Sequence, residues 1–133
     1  MMIPNNFPPE FRNEVNNLGI DFDGVIHDDN LGFHDGTLYG DLIPGSKESL
    51  ELLSKNYKLI IFSAKAKSSR PLVNGKSGKE LIWEWLSKHE LSHLISEVTA
   101  EKPRAFAYID DKAIRFSNWQ STIDFIAKLE KQN

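Results

Sequence analysis

The sequence predicts an α/β fold, a three-layer sandwich in which helices cover both faces of a mainly parallel sheet. Short apolar runs typical of buried strands alternate along the chain with segments whose apolar residues recur at helical spacing. Polar residues follow where several of these runs end, as expected at the carboxyl ends of parallel strands. A length of 133 residues, 40% of them hydrophobic, suits a single domain over residues 1–133.

The first half of the chain contains an irregular start, one strand and one helix. Residues 1–14, with three prolines and three asparagines, are predicted to form an irregular lead-in. A strand begins near Asn17, and the polar segment 25–43 that follows it favours a loop or a short hairpin. A helix opens at Pro44 and ends near Asn56.

The second half alternates strands and helices. The apolar run Tyr57–Phe62 is typical of a buried strand, and the segment 64–78, rich in lysine, serine and glycine, is predicted to be a loop. Lys79–His89 fits a helix because its apolar residues fall at helical spacing. Two short strands and a last helix are expected at 94–98, 105–109 and 121–131. This alternation indicates a Rossmann-like arrangement.

The composition excludes several kinds of site. The chain has no cysteine, which excludes disulfides, thiolate metal sites and cysteine nucleophiles. A formal net charge of −3 argues against nucleic-acid binding by the whole surface. No apolar run approaches about 18 residues, and the first residues lack the features of a signal peptide. We therefore expect a cytoplasmic protein with no membrane partner.

Two carboxylates, Asp21 and Asp23, stand between an apolar run and Gly24. Residues two apart share a face of a strand, but a turn at Gly24 can bring the second carboxylate forward over the first. An Asp-Gly turn is the ordinary explanation of this pattern. Two adjacent negative charges at an apolar strand end are costly, however, which indicates a cation and a chemical role.

A second acidic pair, Asp110 and Asp111, follows another apolar run. Alone it fits a helix cap or a turn. Together with Asp21 and Asp23 it would place four acids at one sheet edge, where they repel one another unless a cation bridges them. Hard oxygen ligands without cysteine indicate Mg²⁺.

Ser63 and Lys102 are unremarkable alone, as a strand-end hydroxyl and a solvated lysine. In the joint pattern, Ser63 offers a hydroxyl and a backbone N–H to a phosphate oxygen. Lys102 could hold a nucleophilic carboxylate and an incoming phosphate together. Asp21 is then the expected nucleophile, and Asp23 the general acid that protonates the leaving oxygen and later activates water.

With these residues in place, the chain resembles the haloacid dehalogenase-like (HAD) hydrolase superfamily of aspartyl-phosphate phosphatases. It is similar to small members found in phage and bacterial genomes. The four motifs of the superfamily correspond, in order, to Asp21-Phe22-Asp23-Gly24-Val25, Ser63, Lys102 and Asp110-Asp111. The resemblance implies a Mg²⁺-dependent phosphatase that cleaves a phosphomonoester through an aspartyl-phosphate.

The resemblance also implies which groups bind the metal and the substrate. Mg²⁺ would be bound by Asp21, the backbone carbonyl of Asp23 and a carboxylate of the Asp110/Asp111 pair, with Asp111 favoured. The residues expected to contact the substrate are Gly24, Ser63, Ala64 and Lys65. Lys65 stands where close relatives often have arginine, which puts bidentate phosphate recognition there in doubt.

No cap domain fits in this chain, because the 40 positions from Asp23 to Ser63 and the 39 from Ser63 to Lys102 are filled by the predicted elements. An open site suits large or extended substrates. The segment 65–79 holds Lys65, Lys67, Arg70, Lys76 and Lys79 and no acid, so it is either a solvated loop or a rim that attracts an anion. The expected partner is a phosphorylated small molecule, a nucleotide or a nucleic-acid end.

Three other functions use similar residue types. A dehalogenase uses an Asp nucleophile but needs neither Asp23 nor a metal-binding pair. A receiver-like signalling module has the same residue types, but there the acidic pair comes first. A phosphate- and Mg²⁺-binding module without turnover would not need every catalytic residue type. The histidines lack metal-ligand spacing and are interpreted as surface or structural residues: His27, His34, His89 and His93.

Overall fold

The structure, a computed structural model, describes residues 16–132, so the predicted lead-in over residues 1–14 lies outside the described residues. The strands are β1 (Asn17–Asp21), β2 (Lys58–Phe62), β3 (Glu97–Thr99) and β4 (Ala107–Ile109). The α-helices are α1 (Ser46–Ser54), α2 (Gly78–Lys88) and α3 (Trp119–Lys131). Short 3₁₀ turns lie at Ala64–Ala66 and Ser92–Leu94.

The four strands form one parallel sheet in the order β3-β2-β1-β4. Leu18 pairs with Leu59 and Asp21 with Phe62, which sets β1 and β2 in register along their whole length. The prediction of an α/β fold with a parallel sheet is confirmed. Because β1 lies between β2 and β4, the carboxyl ends of these three strands meet at one edge of the sheet.

The hydrophobic core lies on one face of the sheet, where both α1 and α2 pack. Its strand residues are Leu18, Ile20, Leu59, Ile61 and Val98, and its helix residues include Leu50, Ile82, Trp85 and Leu86. These strand residues share a face because side chains alternate along a strand and the strands are in register. Ile60 points to the opposite face and is also buried, which explains the continuous apolar run of β2.

The opposite face of the sheet carries Gly19, Ile60 and Tyr108. Tyr108 lies so close to Gly19 that a Cβ there would be 2.7 Å from the ring. The Tyr108 hydroxyl donates a hydrogen bond to the carbonyl of Pro103. No residue of α3 is buried, so the described residues place two helices against one face and do not show the helical layer expected on the other.

Several element ends differ from the predicted bounds because of local capping. Helix α2 begins at Gly78 because Ser77 and Glu80 form a capping box, each side chain accepting a hydrogen bond from the other residue's backbone N–H. Helix α3 begins at Trp119, since the side chain of Asn118 accepts from the N–H of Ser121 at 2.9 Å. Strand β3 starts later than predicted because the turn Ser92–Leu94 includes the first residue of the predicted strand and Ile95 caps that turn.

The segments predicted to be loops contain small ordered features. In the segment 25–43, isolated bridges join His27 to Asp23 and to Leu42. In the segment 64–78, Asn74 and Gly75 have positive φ angles of 53° and 78° and form the two-residue turn of a minimal hairpin. Asn-Gly is the preferred pair for such a turn. Within residues 16–132, none of the helices is both long enough and apolar enough to cross a membrane.

Candidate active site

The sheet order brings the predicted site residues together at the carboxyl edge. Asp21 is the last residue of β1, and its neighbour strands end at Phe62 and Ile109. Ser63 therefore follows β2 on one side of Asp21, and Asp110 follows β4 on the other. The hydroxyl and the acidic pair flank the first carboxylate because of the parallel topology.

Asp21, Asp110 and Asp111 form a compact acidic cluster. One carboxylate oxygen from each lies within 4.8 Å of the others. Asp21 and Asp110 are half-buried and Asp111 is exposed. Burial and, next, the charge of Asp110 raise the pKa of Asp21 to about 6, although the N–H of Phe22 donates a hydrogen bond to its carboxylate. The cluster therefore disfavours its own full ionisation and suits a cation.

Gly24 allows the carboxylate of Asp111 to pack against the backbone that follows β1. Its φ is +81°, and a Cβ at this position would overlap the carboxylate of Asp111. Its N–H donates to the carbonyl of His27 at 2.9 Å. Gly24 thus shapes the site through its missing side chain, while its expected contact with the substrate remains a prediction.

The side chain of Asp23 turns away from the acidic cluster and is held by two donors. Nδ1 of His27 lies 2.8 Å and Nζ of Lys65 3.0 Å from the same oxygen, Oδ1. Burial disfavours the charged form of Asp23, but the hydrogen bonds from His27 and then Lys65 outweigh it and lower the pKa of this carboxyl. The described residues thus hold Asp23 in one orientation through Oδ1 and leave its Oδ2 without a hydrogen-bond donor.

His27 is fully buried beneath the site. Its ring stacks on Phe22, with centroids 5.3 Å apart, and meets the edge of Trp85 at 5.5 Å. The N–H of Gly40 donates to Nε2 at 2.9 Å, so Nε2 is the unprotonated nitrogen and Nδ1–H donates to Asp23. The interpretation of His27 as surface or structural missed this contact. The available signal was the position of His27, directly after Val25-Ile26 and four positions from Asp23.

Ser63 begins the turn on the other side of Asp21. It is 5% exposed, and its Oγ accepts a hydrogen bond from the N–H of Lys65 at 3.2 Å. Its own N–H donates to the carbonyl of Thr99 at 3.0 Å, so the expected backbone contact with phosphate is not available in this structure. Within residues 16–132 the Ser63 hydroxyl accepts the bond from Lys65 and donates none, so its proton can be donated to a ligand. Ala64, exposed, follows as the first residue of the turn Ala64–Ala66.

A cavity of about 300 Å³, which we call the acidic cavity, lies in front of these residues. It is lined by Asp21, Asp23, Asp29, Gly32, Phe33, Ser63, Ala64, Lys65 and Arg70. Five of these were predicted as site residues: Asp21, Asp23, Ser63, Ala64 and Lys65. Lys65 and Arg70 supply the positive charge of the cavity from the basic segment 65–79. Another member of that segment, Lys76, pairs instead with Glu84 on α2 at 2.7 Å.

Lys102 contacts an aromatic ring and forms no ion pair with the acidic cluster among the described residues. Its Nζ is 4.2 Å from the centroid of the Tyr108 ring, and the side chain is exposed. None of the ion pairs within residues 16–132 includes Lys102. The electron-rich face of Tyr108 attracts the ammonium group toward the second face of the sheet. Among the described residues, the cation that contacts a predicted site carboxylate is Lys65, which pairs with Asp23.

Comparisons of the chain with family models, with curated proteins and with solved structures found no match.

Proposed function

We propose that this protein is a Mg²⁺-dependent phosphohydrolase that cleaves a phosphomonoester through an aspartyl-phosphate intermediate on Asp21. One observation carries the proposal. Asp21 shares a cluster with Asp110 and Asp111, while Asp23, two residues later, is turned toward His27 and Lys65. The two carboxylates thus have different surroundings, as a nucleophile and an acid–base group require.

The acidic cluster fits Mg²⁺ by the chemistry of its donors. Three carboxylates supply hard oxygen atoms within 4.8 Å of one another. Ligand oxygens on one Mg²⁺ lie up to about 4.2 Å apart, so small side-chain rotations would complete the site. Asp21, Asp110 and Asp111 would hold the ion, with the backbone carbonyl of Asp23 as the further proposed ligand. The ion would neutralise charge on the transferring phosphoryl group.

In the first proposed step, a carboxylate oxygen of Asp21 attacks phosphorus and the bond to the leaving oxygen breaks. Asp23 gives its proton to that oxygen. In the substrate-free protein Lys65 contacts Asp23, but a bound phosphate would compete for its ammonium group. Loss of that contact favours the protonated form of Asp23, which the acid step needs.

In the second proposed step, Asp23 acts as a base. It takes a proton from water as the water oxygen attacks phosphorus, and the bond between phosphorus and Asp21 breaks. Inorganic phosphate leaves, and Asp21 returns as a carboxylate. The Ser63 hydroxyl and Lys65 would hold the phosphoryl oxygens through both steps, and Lys102 could join them by leaving the Tyr108 ring.

Two further parts of the proposal rest on the sequence. The order of the motifs and their positions after β1, β2 and β4 support membership of the HAD superfamily. The full three-layer Rossmann-like sandwich would need a layer on the face of Gly19 and Tyr108. Helix α3 has the matching character, because its apolar residues, Trp119 among them at 70% exposure, are accessible.

A second candidate function is a Mg²⁺- and phosphate-binding module without turnover. The observation that favours it is the position of Lys102, whose ammonium group contacts a ring instead of a site carboxylate. Such a module would bind phosphate and Mg²⁺ but release no product.

The test is a screen of the purified protein against phosphomonoesters, including sugar phosphates, nucleotides and oligonucleotides phosphorylated at either end. We expect Mg²⁺-dependent release of phosphate that chelation abolishes and that Asp21→Asn lacks. Asp23→Asn should keep the nucleophile but lose about 10²–10⁴-fold in rate, and should accumulate phosphoenzyme. Phosphate binding without release from any ester would support the second candidate, and near-normal turnover by Asp21→Asn would overturn the nucleophile.

A further inference from the structure

A second cavity adjoins the acidic cavity, and we propose that it binds the leaving group of the substrate, which would be a compact aromatic group. This inference rests on the proposed function, because it places the phosphate of the same molecule in the acidic cavity. The second cavity, which we call the apolar cavity, has a volume of about 320 Å³. Small-molecule sites typically measure about 300–1,000 Å³, so it suits a compact group.

The walls of the apolar cavity come from three segments of the chain. Phe33 and Leu38 belong to the segment before α1, Pro71 and Val73 to the basic segment, and Leu81 to α2. The described lining residues include no acid. Such walls favour the removal of an apolar group from water and offer few partners to the hydroxyl groups of a sugar.

The two cavities share a boundary. Phe33, Lys65 and Arg70 line both of them. One molecule can therefore place an anionic group against Lys65 on one side and its apolar part beyond Phe33 on the other. The ring of Phe33 and the flat guanidinium of Arg70 are both suited to stack on an aromatic group at this boundary.

Close packing holds the walls in place. A Cβ on Gly36 would lie 3.0 Å from Val73 and 3.3 Å from Phe33, so the two loops are in near contact there. Gly78, at the start of α2, lies against the carbonyl of Lys65, which a Cβ would overlap. The domain thus forms a leaving-group pocket from its own loops without a cap.

Direct binding measurements test this assignment without relying on catalysis. The probes are 1-naphthylmethylphosphonate and methylphosphonate, neither of which can be hydrolysed at phosphorus like an ester, titrated calorimetrically into the protein with Mg²⁺. We expect the naphthyl compound to bind at least about tenfold more tightly, as a well-filled apolar pocket provides. No difference between the two probes, or no binding of either, would overturn the proposal.

Matched variants locate the binding. Val73→Thr keeps the shape but places a hydroxyl in the wall and should weaken the naphthyl probe about fivefold to tenfold, with methylphosphonate unchanged. Leu81→Trp should fill the cavity and remove the preference for the naphthyl group. Leu72→Thr is the control, because Leu72 is adjacent, 64% exposed and outside the lining. Equal effects of Val73→Thr and Leu72→Thr would contradict the assignment.

Hydrolysis assays separate this proposal from the function on which it rests. The wild-type protein should hydrolyse 1-naphthyl phosphate with a lower KM than glycerol 2-phosphate, and Val73→Thr should raise only the first KM. Tight binding of the naphthyl probe without hydrolysis would support aromatic binding in the apolar cavity and contradict the proposed phosphatase activity. Equal KM values for the two esters, or a clear preference for a 5′-phosphorylated oligonucleotide, would be consistent with phosphatase activity but would contradict a compact aromatic leaving group.

Discussion

At the scale of single residues, the buried His27 holds the side chain of Asp23 by a hydrogen bond. Its Nδ1–H donates to Asp23 at 2.8 Å, while the N–H of Gly40 fixes the other ring nitrogen as an acceptor. Lys65, which lines the acidic cavity, contacts the same oxygen of Asp23. His27 is therefore a positioning residue that orients the proposed acid–base group from the buried side.

This role predicts a difference between two His27 variants. His27→Leu removes the hydrogen bond and should lower kcat about 10–100-fold with KM little changed, because a hydrogen bond to a charged group contributes about 1.5–3 kcal/mol. The pH–rate profile should also move to higher pH, since the His27 hydrogen bond lowers the pKa of Asp23. His27→Asn keeps a donor near the Nδ1 position and should restore part of kcat. Matching pH profiles for both variants would reduce His27 to a packing residue.

The raised pKa of Asp21 predicts a pH-dependent effect on stability. Burial and then the Asp110 charge raise this pKa from 3.8 to about 6 in the folded, metal-free protein. The unfolded chain then ionises at lower pH than the folded one, so Asp21 destabilises the fold as pH rises through this interval, and the penalty persists above it. Asp21→Asn should thus stabilise the metal-free protein by about 1–2 kcal/mol near pH 7.5, allowing for solvent screening.

Urea denaturation at two pH values measures this effect. The gain from Asp21→Asn should nearly disappear at about pH 3, below the ordinary pKa of 3.8, where both states carry a largely protonated carboxyl. Asp28→Asn is the control, because Asp28 is exposed and outside the acidic cluster. A stability change of Asp21→Asn that is the same at both pH values would contradict the assigned cause.

The sequence could predict the residues whose position follows from strand ends. Asp21, Ser63 and the Asp110/Asp111 pair each follow an apolar run, and parallel pairing then brings them to one edge. The orientation of side chains could not be predicted in this way. The side chain of Lys102 could contact either a carboxylate or the face of Tyr108, and the sequence does not distinguish the two contacts. His27 reaches Asp23 only because the chain turns at Gly24. Both orientations therefore depend on tertiary contacts.

At the scale of elements, the start of α2 and the turn after β2 depend on close backbone packing. Gly78 is the first residue of α2, and a Cβ there would overlap the carbonyl of Lys65. Gly78→Ala should therefore destabilise the protein by about 1–3 kcal/mol, even though alanine favours a helix by about 1 kcal/mol. It should also raise KM, because Lys65 must move with its backbone.

Thermal unfolding and steady-state kinetics test the role of Gly78. Lys79→Ala is the matched control, because Lys79 is the next residue and lies exposed in the same helical turn. This substitution changes little except the helix propensity. Stabilisation by Gly78→Ala would show that the turn can move without cost.

Element types were easier to predict than their ends. The apolar runs and helical spacing located the strands and helices, because burial on the sheet imposes those periodicities. The capping box of Ser77 and Glu80 and the Asn118 cap moved two helix starts toward the N-terminus. The Asn74-Gly75 turn, a recognisable hairpin signal, was missed because a lysine- and serine-rich segment suggested an irregular loop.

At the scale of the whole molecule, the layers could be predicted only in part. The parallel sheet and the helices of the first face follow from alternating apolar segments. The second face could not be predicted from such patterns. Helix α3 has an amphipathic sequence, yet its apolar side chains, among them Ile123, Ile126 and Leu129, are exposed in the structure. Periodicity shows that a helix has an apolar face and does not show what covers it.

The last prediction concerns the stability of the whole molecule with Mg²⁺. The carboxylates of Asp21, Asp110 and Asp111 come from the ends of β1 and β4, so an ion bound among them ties two strands of the sheet together. A ligand bound only by the folded state stabilises it by about 2.7 kcal/mol at a concentration of 100 times Kd. Mg²⁺ should therefore raise Tm by several degrees, in proportion to the logarithm of its concentration. The double variant Asp110→Asn/Asp111→Asn should abolish the rise in Tm, whereas the control Asp28→Asn should retain it. An equal rise in the wild-type protein, the double variant and the control would mean that Mg²⁺ acts elsewhere.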